Sequence, residues 1–155
     1  MATMFLLIIY LAFISLGLPD SILGAAWPIM RTDLNAPLSA AGLVSMIVSA
    51  STIVSSLNSS RLLRRFGTGM VSFLSTLLTA AALLGFSFSG SILFLLVLAV
   101  PLGLGAGAID AGLNNYVALH YQARHMNWLH CFWGIGATLG PAIMSAFLHS
   151  ENWRG

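Results

Sequence analysis

The chain has 155 residues, 58% of them hydrophobic and only 6% charged, with six basic residues against four acids and a formal net charge of +2. A soluble domain carries about 25% charged residues, so the bilayer must be the main solvent and an ordinary soluble globular fold is excluded. All six basic residues are arginines and form no basic stripe of the kind nucleic acid requires, and Cys131 stands alone, which rules out a disulfide framework or a cysteine-rich zinc site.

The hydropathy pattern predicts an all-α, polytopic membrane bundle of five transmembrane helices, at about 5–30, 38–57, 70–88, 92–119 and 128–148. The first segment competes with a signal-peptide reading, since Gly24-Ala25-Ala26 has the small residues of a cleavage site. Its leader has no positive charge and its apolar run is too long, so it reads as a retained helix. Pro19 interrupts it and removes a backbone hydrogen bond. Asp20 then reads either as a proton or solute site, or as a cap for the freed amides.

A polar turn follows, where Asp33 or Asn35 is placed to cap the second helix and Pro37 suits its first turn. In the second segment Ala41, Ser45, Ser49, Thr52 and Ser56 fall at helical spacing. In the third, Ser72, Ser75, Thr79 and Ala82 do the same. Stripes of small residues let helix backbones approach closely. Residues 58–69, with Arg61, Arg64 and Arg65, read as a basic connection, and Ser89-Gly90-Ser91 as a tight turn.

The fourth segment is the most informative. An unbroken apolar run from Ile92 to Val100 leads through Pro101 and Gly103, Gly105 and Gly107 to Asp110, Asn114 and Asn115. An acid at membrane depth is costly and usually faces a bundle interior or a water-filled cavity. Asp110 and Asn114 share one helical face, so that face is a candidate functional surface, with Asn114 able to bond a solute hydroxyl. The glycines lack the preceding strand and the spacing of a dinucleotide fingerprint. Gly103-x-x-x-Gly107 and Gly136-x-x-x-Gly140 read as close helix packing.

In the fifth segment His130 is placed to line a cavity. The four histidines, 120, 125, 130 and 149, lack the i, i+3 or i, i+4 spacing of a metal site. Trp27, Tyr116, Trp128 and Trp133 offer faces for stacking on a sugar ring, although Trp128 also suits an interfacial belt. No cofactor is implied. No nucleophile–base pair marks an enzyme. Arg61, Arg64, Arg65 and Arg124 fall on one side of the bundle, Arg31 and Arg154 on the other, so the N-terminus is expected in the cytoplasm.

The stretch Ser60-Arg61-Leu62-Leu63-Arg64-Arg65-Phe66-Gly67-Thr68 resembles the Gly-x-Leu-x-Asp-Arg-x-Gly-Arg motif of the major facilitator superfamily, matching it at Leu62, Arg65 and Gly67. Ser60 replaces its first glycine and Arg64 its acid, so an Asp-based latch does not carry over. The stretch from Gly17 to Pro28 is similar to the first helix of fucose-permease-like sugar:proton symporters. Asn127-Trp128-Leu129-His130, Gly134-Ile135-Gly136-Ala137 and Gly140-Pro141 are similar to their fifth helix.

The resemblance implies a partial N-terminal half of a twelve-helix transporter in the bacterial inner membrane, with Asn152-Trp153-Arg154-Gly155 leading into a sixth helix and the C-terminal helices missing. It further implies a small polar solute, a sugar by this likeness, carried by alternating access with proton coupling through Asp110 and Asp20, whose helices line the central cavity. Two alternatives stand. One is a drug or metabolite efflux antiporter of the same superfamily, though the glycines expected after Gly140-Pro141 are Ala142 to Met144 here. The other is a non-transporting fragment that packs with a partner.

Overall fold

A computed structural model describes residues 2–148 and Trp153. His149 and, of the expected lead-in to a sixth helix, Asn152, Arg154 and Gly155 lie outside the described residues. Those described form four helices: α1 (Ala2–Asp33), α2 (Ala40–Ser87), α3 (Ile92–His120) and α4 (Ala123–Leu148). Each is long and apolar enough to cross a membrane.

Four helices stand where the hydropathy pattern predicts five. The second and third segments are joined through the stretch expected to be a connection. Arginine and leucine are good helix formers, so Arg61-Leu62-Leu63-Arg64-Arg65 prolongs the helix, and the Asn58 and Ser59 side chains satisfy carbonyls of the preceding turn at Val54 and Ser56. The helix breaks only at Gly67, with φ 77° and ψ 157°, a region essentially reserved for glycine. Straight, 48 residues would reach about 70 Å at 1.5 Å per residue, more than twice the hydrocarbon thickness. Instead α2 has two arms, 40–66 and 68–87, and both pack on α3. Gly103 and Gly107 of α3 lie against Val48 and Thr52 of the first arm, while Gly105 lies against Ser75 and Thr79 of the second, and Gly85 of that arm lies against Leu98. The first arm therefore runs with α3 and the second runs against it.

Other boundaries moved for local reasons. Pro19 and Pro28 both lie inside α1, which continues to Asp33. Ser39, rather than Asp33 or Asn35, precedes α2 and makes no side-chain cap, while Asn35 takes a positive φ of 48° in the turn. Ser91 Oγ caps α3 by accepting from the Phe94 N–H at 3.3 Å.

The helices pack as two close pairs, α1 with α4 and α2 with α3. In the first pair Gly17, Gly136 and Gly140 bring backbones together: an added methyl would strike the Trp133, Ile14 and Leu18 carbonyls respectively. The α2–α3 seam is tied by hydroxyls. Thr52, Ser55 and Ser56 donate to the carbonyls of Gly103, Leu104 and Gly107 at 3.2, 2.6 and 3.3 Å. The buried face of the first arm carries Ser51, Ser55 and Ser59; of the predicted stripe, Thr52 and Ser56 reach the seam at its edge, while Ser45 and Ser49 line the wider space between the helix pairs. Serines at both 49/56 and 51/55/59 made the spacing ambiguous. In the second arm Ser75 and Ala82 are buried as expected.

Two apolar clusters join the pairs, one near each end of the bundle. One gathers Trp27, Met30, Val44, Phe86, Leu95 and Trp153. The other gathers Ile9, Phe13, Ile109, Leu113, Val117 and Leu129.

Candidate functional site

Between those clusters the two helix pairs leave a cavity of about 310 Å³, walled by all four helices. α1 supplies Phe13, Leu16 and Asp20, which recur at i, i+3 and i+7 and so share one face. The first arm of α2 supplies Thr52. α3 supplies Ala106 and Asp110, one turn apart, and α4 supplies His130 and Trp133, three residues apart. Two of the chain's four acids thus meet in one space at mid-helix. A wider cavity of about 840 Å³ adjoins it, sharing Leu16, Asp20, Thr52 and Ala106 and adding the hydroxyls of Ser45, Ser49, Thr76 and Thr79.

Each acid is held by a neutral donor. Trp133 Nε1–H donates to Asp20 Oδ2 at 3.1 Å, tying α4 to α1. Asn114 Nδ2 donates to Asp110 Oδ1 at 2.9 Å and to the Asp110 carbonyl at 2.9 Å. Asp20, Asp110 and His130 line the same cavity from three different helices. The His130 ring meets Phe13 edge-on, with ring centres 6.3 Å apart. Asp20 is not used as a cap for the amides freed by Pro19; its partner is the indole of another helix. The site therefore offers two carboxyl groups, an imidazole, an indole face, and hydroxyls for polar contact.

The structure brings together Asp20, Asp110 and His130 of the residues singled out above. Asn114 stands behind Asp110 as its hydrogen-bond partner and does not line the cavity; its Oδ1 is buried without a partner. Trp27 sits in the first apolar cluster, 4% exposed, away from the cavity. Tyr116 lies toward the opposite end, stacked on His120 with ring centres 4.2 Å apart and edge-on to Phe5 at 5.1 Å. Of the four aromatic candidates, Trp133 is the one at the cavity. Its spacing from His130 was the available signal. Thr52 belongs to a stripe whose spacing suits helix packing better than solute contact, and the structure gives it a place in both, bonded to the Gly103 carbonyl and lining the cavity.

Residues 9–155 match the sequence profile of the Major Facilitator Superfamily. Over 62 residues the chain is 29% identical to the glucose/mannose transporter GlcP of Bacillus subtilis (strain 168), a match covering 39% of this chain and 16% of that protein. The chain thus spans well under two thirds of that relative. The profile match runs through all four membrane-length helices and every residue of the cavity, and the chain accordingly belongs to the Major Facilitator Superfamily of multi-pass membrane transporters.

Proposed function

We propose that this chain is the N-terminal part of a transporter that moves a small polar solute, in the first place a hexose, by proton-coupled alternating access. The observation that carries the reading is the meeting of Asp20, Asp110 and His130 in a cavity at membrane depth, where an ionisable group is costly and marks a solute or proton path by default. The indole face of Trp133 suits the apolar C–H patches of a sugar, and the hydroxyls of the adjoining cavity suit its polar edge. The glucose/mannose transporter GlcP, similar over 62 residues, favours the sugar class.

In this reading Asp110 is the coupling carboxylate, with Asp20 second. Asn114 orients Asp110, and His130 borders the proton path. Trp27 and Tyr116 act at a distance, by packing the helices that frame the cavity. The two arms of α2 are separate membrane passes, giving five, with the N-terminus and Gly67 on the cytoplasmic face of the cell membrane. Further helices complete the cavity from the other side.

Uptake by proteoliposomes containing the complete transporter tests this. With an inward proton gradient, labelled glucose should accumulate above its external concentration, and a protonophore should abolish the accumulation. Accumulation that ignores the protonophore removes proton coupling; no uptake across a panel of hexoses removes the sugar class.

A further inference from the structure

We infer that the arginine face at the end of the first arm of α2 is a binding site for the headgroup of an anionic phospholipid. Arg61, Arg64 and Arg65 are spaced i, i+3 and i+4, so they fall within one arc of about 100°. All three are exposed. Leu63, on the other side of the helix, packs toward Gly112 of α3, which turns the arginines outward. Asp20, Asp33 and Asp110 belong to other helices, and among the described residues none pairs with these arginines. Three guanidinium groups therefore face outward with their charge uncompensated by the described chain.

The depth of this face is set by α2. The first arm is about 40 Å long at 1.5 Å per residue, and the hydrocarbon is about 30 Å thick, so a helix that turns back at Gly67 must do so at the headgroup level. Below the arginines, on the same face, Leu57 and Val54 are 77% and 54% exposed. The surface is thus an apolar stripe topped by guanidinium groups, the reverse image of an acyl chain topped by a phosphate. Arg65 also lies over the Phe66 ring, 5.5 Å from its centre, which limits its freedom. Guanidinium forks bind phosphate oxygens in bidentate fashion.

The test uses the purified chain in a neutral detergent, with native mass spectrometry counting bound lipid. Dioctanoyl phosphatidylglycerol should bind at least about tenfold more tightly than dioctanoyl phosphatidylcholine, since each arginine near an anionic headgroup is worth roughly fivefold. Each of Arg61→Gln, Arg64→Gln and Arg65→Gln should weaken the anionic lipid about fivefold, and the triple glutamine variant should lose the preference. Lysine at all three positions should retain part of it, through charge without the fork. Equal affinity of the wild-type chain for the two lipids overturns the inference without recourse to any variant. So does a preference unmoved in the triple variant. Inorganic phosphate that displaces the lipid at equal concentration would make this a free-phosphate site and overturn the lipid assignment.

Discussion

Gly107→Ala isolates the contact on which the α2–α3 seam depends. A methyl group at Gly107 would run into the Thr52 carbonyl oxygen and would stand 3.0 Å from Thr52 Cα and 3.1 Å from Ser55 Cβ. Two of these three neighbours are backbone atoms, so no side chain can swing away and the helices must part by roughly an ångström. Overpacking of this kind costs about 1–3 kcal/mol. Parting the helices also weakens the three bonds from Thr52, Ser55 and Ser56 to α3 carbonyls, each worth about 0.6 kcal/mol inside a membrane. Alanine returns about 1 kcal/mol through better helix propensity. The clash wins, and the net loss should be about 2–4 kcal/mol. Gly134→Ala is the matched control, because nothing lies within 4 Å of a methyl there. It should be neutral or stabilising by up to about 1 kcal/mol. Unfolding of the purified chain by SDS titration in mixed micelles measures both. If Gly107→Ala is as stable as Gly134→Ala, the close-approach account of the seam is wrong.

Gly67→Ala should cost about 1–3 kcal/mol in the same assay, from backbone strain alone, since no neighbour obstructs a methyl there; Gly69→Ala, equally open but with ordinary backbone, should not. Tyr10→Phe removes the 2.7 Å hydrogen bond between the Tyr10 hydroxyl and His125 Nδ1 that joins α1 to α4, and should lower stability by about 0.6–1.5 kcal/mol; an unchanged midpoint would count that bond as idle. With Cys131 replaced by serine, single cysteines at the exposed Asn35 and Gly90 should react with an impermeant reagent added outside intact cells, while cysteines at Thr68 and Gln122 should not. Labelling at Thr68 would invert the proposed orientation.

The helical class, the membrane setting and Asp110 were legible in the sequence because each rests on a cost that nothing local offsets: sparse charge across the chain, and an acid within a membrane-length apolar run; Asp20 was less so, because Pro19 beside it offered a local capping role. The glycine pairs 103/107 and 136/140 were legible for a related reason, since small residues one turn apart leave a groove that another backbone fills. The joining of the second and third predicted segments into α2 was not legible, because polarity at 58–69 suggested a loop while the helix propensity of its arginines and leucines favoured continuation to Gly67. The packing face of the first arm was legible only in part, at Thr52 and Ser56, because serines on two faces hid the buried row 51/55/59. Trp27 and Trp133 look alike in sequence. Only the fold separates them, by burying Trp27 among α1, α2 and α3 residues and bringing Trp133 to Asp20 across the α1–α4 seam.

The central claim is that the cavity couples solute to protons through Asp110, and Asp110→Asn tests it most directly. Asparagine keeps the shape and an oxygen to accept from Asn114 Nδ2, as Asp110 Oδ1 does at 2.9 Å, but it cannot take up and release a proton. In the complete transporter reconstituted into proteoliposomes, the variant should lose glucose accumulation driven by a pH gradient while retaining glucose exchange across a membrane with sugar on both sides. An Asp110→Asn protein that still accumulates glucose uphill, with the wild-type dependence on pH, would contradict the account.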